Sequence, residues 1–93
     1  MIKVVIERNI AEGLGPHYEE AIKKTISGVV QAPGFISSES LKDVANPNHR
    51  LVIINWANVQ SWHMWESSPQ RKLLLEAIQP MLEGHEKCTV LSH

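Results

Sequence analysis

The chain has 93 residues, of which 43% are apolar, and its 9 basic side chains nearly balance 10 acidic ones. That size makes a single domain, residues 1–93, near the small end of what folds alone, and the absence of a basic cluster argues against nucleic acid or an anionic membrane as partner, since both demand a cationic face. No segment approaches the ~20 apolar residues of a membrane span, MIKVVIERN is not laid out as a signal peptide, and the single Cys88 excludes an internal disulfide and fits a reducing cytoplasm.

Ile2, Val4 and Ile6 alternate with Lys3, Val5 and Glu7, the period of a first strand. Gly13 and Gly15 break it, and Pro16 suits the first turn of a helix whose apolar stripe is Tyr18, Ala21, Ile22, Thr25, Ile26 and Val29. Pro33-Gly34 ends that helix. Phe35 to Val44 is a more polar strand of the kind found at an edge, Asn46-Pro47-Asn48 is a turn, and Arg50 to Trp56 is a third strand, antiparallel to the second. Asn58 caps a short helix to about Glu66, and Ser68-Pro69 starts another. In that second segment Leu74, Ala77, Ile78 and Met81 face inward with Leu73 and Leu82 alongside, and Pro80 kinks or ends it. Glu86 to Leu91 is the last strand, with Cys88 on it as a small buried apolar side chain.

The order β-α-β-β-α-β, with the second helix broken in two, closes most simply as an α+β ferredoxin-like plait: a four-stranded antiparallel sheet with helices on one face. Leu51, Val52, Ile53 and Ile54 are apolar in succession, so the third strand asks for cover on both faces, and helices supply only one. The uncovered face predicts a homodimer, two copies packed sheet to sheet about a two-fold axis.

The strand MIKVVIERN, the helix ending Gln31 to Phe35 (QAPGF), the strand LVIINW and the break Glu66 to Lys72 (ESSPQRK) together resemble the antibiotic biosynthesis monooxygenase family of dimeric α+β barrels, over nearly the whole chain. The resemblance implies plaits paired into a barrel, with a pocket in each protomer between sheet and helices. It also implies cofactor-free oxygenation of polyphenolic rings or, in another branch, oxidative breakdown of haem. This sequence departs from both branches. Ala57 and Asn58 follow Trp56 where the family often has Trp-Glu-Ser. Val52 stands where anthrone-oxidising members have Asn, and Leu75 where they have Arg and the haem branch has His. Arg8 falls where the haem branch has Asn, with Asn9 displaced by one, so haem degradation is not expected. The aromatic positions Trp56 and Trp65 carry over.

Leu51 to Trp65 holds all three tryptophans, Trp56, Trp62 and Trp65, the last two on one helix face; they read as core, and also as the wall of a substrate pocket. His63, between two of them, reads first as solvated and second as a general base. Asn55 follows the apolar run, so its amide needs a partner; it either bonds backbone or stabilises an enolate oxygen. Arg8 and Arg50 read as surface ion-pair partners across the sheet. His17, His49, His63, His85 and His93 have no metal-ligand spacing, and no nucleotide loop is present, so neither metal nor cofactor is expected. The leading expectation is a cofactor-independent monooxygenase acting on a small aromatic or quinol-type ligand. The alternatives are a non-catalytic small-molecule-binding or stress-response dimer of the same fold, and a pure dimerisation scaffold whose tryptophans fill the pocket.

Overall fold

The computed structural model describes residues 1–93 as four strands and three α-helices: β1 (Ile2–Asn9), α1 (Gly15–Val29), β2 (Phe35–Lys42), β3 (His49–Trp56), α2 (Val59–Glu66), α3 (Pro69–Ile78) and β4 (Lys87–Ser92), with a single 3₁₀ turn at Gln79–Met81. The strands form one antiparallel sheet in the order β2-β3-β1-β4, as expected for the ferredoxin-like plait. The weakly apolar β2 is indeed an edge strand. None of the helices is long and apolar enough to cross a membrane.

Local chemistry sets most boundaries. Asn58 accepts the Ser61 N–H through its side chain, and Ser68 accepts that of Arg71, so both short helices start on capped donors. Pro16 and Pro69 sit in first turns, where a missing N–H costs nothing. α1 stops at Val29, earlier than the Pro33-Gly34 signal suggests, and a short turn carries the chain to Gly34. Gly34 has φ +85°, and a Cβ there would lie 2.0 Å from Ser61 Oγ, so only glycine lets this turn pack on α2. Its carbonyl accepts the Ala57 N–H at 2.8 Å, which ties the turn to the end of β3.

The period-two pattern divides the sheet into two faces. Val4, Ile6, Val52, Ile54 and Trp56 point toward the helices and are buried, joined there by Tyr18, Ile22 and Val29 from α1, Trp62 and Trp65 from α2 and Ile78 from α3. Fully burying each such side chain is worth about 1.5–3 kcal/mol, so this layer is the main source of stability. The opposite face carries Val5, Leu51 and Ile53 half-buried on the central strands, with the more exposed Leu41 and Leu91 on the edges.

Three readings need correction. The inward side of α3 carries Arg71, Leu74, Leu75 and Ile78, whereas Leu73 and Ala77 are exposed: an arginine begins the buried stripe. Arg8 and Arg50 alternate in register with the apolar residues of β1 and β3, so they point under the helices and are 3% and 7% exposed, not surface partners. Cys88 lies on β4 as expected but the residue is exposed, because β4 is an outer strand of the sheet.

Candidate functional site

A cleft opens between the sheet and the α1–α3 seam. Its walls are Ile6, Val52 and Ile54 from the sheet, Ile22, Ile26 and Val29 from α1, Trp65 from α2, and Leu74, Leu75 and Ile78 from α3. Its only polar lining groups are Arg8, Thr25 and Arg71. The unfilled volume is about 380 Å³ including the solvent-facing mouth, and the enclosed part has room for about one water.

The polar end of the cleft is a buried charge cluster. Glu86, in the segment just before β4, receives Arg8 Nε at 3.0 Å and Nη2 at 2.8 Å on Oε1, and Arg71 Nη2 at 2.6 Å on Oε2. The three side chains are 4%, 10% and 11% exposed for Arg8, Arg71 and Glu86. Two guanidinium cations thus share one carboxylate. Burial alone would push the Glu86 carboxyl up, but the Arg8 charge, the Arg71 hydrogen bond and charge, and the Arg8 hydrogen bond together hold it below the usual carboxylate range, so it stays ionised. Arg8 is desolvated, yet the Tyr18 and Glu86 charges and hydrogen bonds hold its pKa above the ordinary arginine value. Arg8 Nη1 also donates to Tyr18 Oη at 3.1 Å, and the guanidiniums of Arg8 and Arg50 lie 5.9 and 5.6 Å from the Tyr18 ring centroid. Arg71 lies 5.6 Å from the Trp62 ring centroid, a cation–π placement that fixes its direction.

The three tryptophans separate in role. Trp56 and Trp62 are sealed in the core, 0% and 1% exposed; Trp56 meets Phe35 edge-on at 6.1 Å between centroids and Trp62 at 6.2 Å. Neither lines the cleft. Trp56 Nε1 is buried with no hydrogen-bond partner. Trp65 is the one tryptophan at the cleft, and it also borders an outer depression with Gln31, Pro33, Ser61, Met64 and Gln70.

His63 and Asn55 are not brought together. His63 projects from α2 with its side chain 63% exposed, its Nδ1 3.5 Å from Glu66 Oε1. Asn55 pairs in register with Lys3 on the open face of the sheet, donates to Ser37 Oγ at 3.0 Å, and leaves its buried Oδ1 without a partner. Neither residue lines the cleft. No group of three His, Cys, Asp or Glu side chains is arranged to hold a metal ion. On the open face, His49 bridges Asp43 Oδ2 at 2.9 Å and Glu7 Oε2 at 2.6 Å; the hydrogen bonds to Asp43 and then Glu7 raise its pKa.

Arg71 and Glu86 are the site residues that sequence reasoning missed. The available signal was positional: Arg71 stands three, four and seven residues before Leu74, Leu75 and Ile78, the spacing of one helix face.

The family model described as antibiotic biosynthesis monooxygenase matches residues 1–77. No curated protein matches the sequence. Among solved structures, one described as an antibiotic biosynthesis monooxygenase is similar with TM-score 0.91 and 14% identity, covering 100% of this chain and 98% of that one. A variant of SnoaB, a cofactor-independent oxygenase from Streptomyces nogalater, gives TM-score 0.90 and 14% identity over 99% of this chain and 91% of that one. A conserved protein from Methanosarcina mazei Go1 gives TM-score 0.90 and 16% identity over 96% and 88%. At such identities the structural likeness is one of fold.

Proposed function

The chain belongs to the antibiotic biosynthesis monooxygenase family, and from that premise we propose that it is a cofactor-independent oxygenase of a small aromatic or quinol-type substrate. The observation that carries this reading is the cleft itself: apolar walls that exclude water, closed at one end by two guanidinium groups held on a single carboxylate. Such chemistry asks little of a protein. A quinol or anthrone-type ring loses a proton to give a stabilised carbanion, which passes an electron to dioxygen; the radical pair combines to a hydroperoxide, and loss of water leaves a carbonyl. One oxygen atom enters the product and one leaves as water, so no outside reductant is consumed. The protein must stabilise the anion and keep the site dry. In this reading Arg71 takes the oxyanion-stabilising role with the Arg8 charge behind it, Thr25 adds a hydroxyl to the lining, and Trp65 provides an aromatic wall. Asn55 and His63 stand outside the cleft, so proton removal rests on the substrate's own acidity in a cationic pocket.

The enclosed space is small, so occupancy requires the α1–α3 seam to widen. α3 is suited to this because it is a separate cylinder, broken from α2 at Ser67–Ser68 and from β4 by the 3₁₀ turn at Pro80. The second reading is a non-catalytic binding module, which needs the same widening. Oxygen uptake by chelator-treated protein with a panel of quinols and anthrones separates them. Uptake well above uncatalysed autoxidation, lowered in Arg71→Gln, supports the oxygenase; saturable ligand binding with no added uptake supports the binding module.

The protein acts as a homodimer in this proposal. Val5, Leu51, Ile53, Leu41 and Leu91 give the open sheet face an apolar centre that a second copy would cover. Sedimentation at low micromolar concentration should give twice the 10.5 kDa chain mass; a stable monomer there would remove the sheet-to-sheet pairing.

A further inference from the structure

The charge cluster at the end of the cleft does not balance. Arg8 and Arg71 bring two positive charges and Glu86 one negative, and all three side chains are about nine-tenths buried. The other charges nearby stand outside the buried cluster: Arg50 pairs with Glu19 at 3.3 Å, its Nε donates to the Pro47 carbonyl, and Glu66, whose side chain is 45% exposed, faces His63 Nδ1 at 3.5 Å in solvent. An uncompensated positive charge in a mostly apolar lining is costly, and the arrangement persists only because neighbouring packing fixes it. The hydrogen bonds locate the excess. Arg8 spends Nε and Nη2 on Glu86 and Nη1 on Tyr18. Arg71 spends only one N–H of Nη2, leaving Nε, Nη1 and the second Nη2 N–H without a protein partner, so one of its two-donor edges is free on a side chain that is 10% exposed and lines the cleft. Trp62 beneath the guanidinium and the Glu86 bond at its far end hold those free donors in place.

We infer that the ligand of this cleft is an aromatic ring bearing one negatively charged oxygen group, seated on the free N–H edge of Arg71 with the ring against Trp65. A planar guanidinium offers paired donors to a carboxylate or an acidic phenolate alike, and one negative charge neutralises the cluster. Neutral rings of the same size leave the excess charge uncompensated and bind less well. This inference rests on the reading of the cleft as the ligand site.

The test uses 4-nitrophenol, yellow as the phenolate and colourless as the phenol, at a pH where most of the free compound is the phenol. Adding wild-type protein should produce saturable yellow colour, with the bound ionisation midpoint lowered by at least about one pH unit, a tenfold preference for the anion. Arg71→Gln should remove the colour while tryptophan quenching still reports binding of the phenol. Benzoate should displace the yellow ligand at a lower concentration than methyl benzoate does. Quenching without colour would overturn the inference and leave the cleft as a ligand site. Colour that survives in Arg71→Gln, or equal displacement by acid and ester, would also overturn it. Neither quenching nor colour would remove the cleft reading itself. The wild-type measurement needs no variant, so a variant that fails to fold does not shelter the inference.

Discussion

Replacing Glu86 should be the most damaging single change in the polar part of the molecule. Its carboxylate accepts three charge-assisted hydrogen bonds, at 3.0, 2.8 and 2.6 Å, from two guanidiniums that have little access to water. Glu86→Leu leaves both cations buried and unpaired, apart from the Arg8 bond to Tyr18. Breaking a buried pair in this way costs about 3–5 kcal/mol. For a chain of this size that corresponds to a fall in Tm of about 12 °C or more, at about 4–8 °C per kcal/mol. The triple variant Arg8→Met, Glu86→Leu, Arg71→Met should be far closer to wild type, because it removes the charges together with their desolvation cost. Urea denaturation of the wild type, the single and the triple variant measures this directly. The pH dependence gives an independent check. The folded carboxyl of Glu86 is held below its ordinary value of 4.5, so its contribution is present above that pH and is lost as pH falls through the folded value. Glu86→Gln should therefore flatten the acid limb of the stability curve. A Glu86→Leu cost under about 1 kcal/mol, or a triple variant worse than the single, would refute the account of this cluster as an unbalanced buried network.

Gly34→Ala should cost at least about 1–3 kcal/mol for its positive φ alone, with more from the collision with Ser61, and thermal unfolding will read it. Trp56→Phe should cost less than about 1.5 kcal/mol, since apolar volume is mostly kept and the lost Nε1 has no partner; if the oxygenase reading holds, turnover per folded protein should be nearly unchanged because Trp56 does not line the cleft. His49 should titrate above its ordinary 6.5 by NMR, and Asp43→Asn should bring it down. Its contribution to stability is complete below 6.5 and is lost as pH rises through the folded value. Haemin should give no saturable Soret shift, since Leu75 rather than a histidine stands on the cleft side of α3.

The fold was legible because its punctuation is local. Asn58, Ser68, Pro16, Pro69 and Gly34 each act on their own few residues, and the alternation in β1 and β3 needs no knowledge of the rest of the chain. The site was not, because it is built from long-range meetings. Arg8 and Glu86 are 78 residues apart in sequence, and an apolar-stripe reading of α3 counts Leu73 and Ala77 in and leaves Arg71 out. The tryptophan cluster misled for a different reason. Its members are adjacent in sequence, but Phe35 closes over Trp56 from the neighbouring edge strand, and only Trp65 is left facing open space.

Cys88 adds something that bears on the proposed oxygenase chemistry. It sits on the outer strand beside the charge cluster, its sulfur 3.8 Å from Glu86 Oε2. The residue as a whole is exposed, yet local shelter of the sulfur and then the Glu86 charge push the thiol up to about 11. Only the thiolate reacts readily with peroxides, and at neutral pH about one molecule in ten thousand would carry it. Hydroperoxide escaping from the cleft would therefore meet a sulfur that is close by and nearly inert. The carboxylate that clamps the two arginines thus adds its charge to the burial that keeps the neighbouring thiol protonated, so in a Glu86→Gln protein the Cys88 thiol should ionise at lower pH and react faster with peroxide, even as the acid limb of the stability curve flattens.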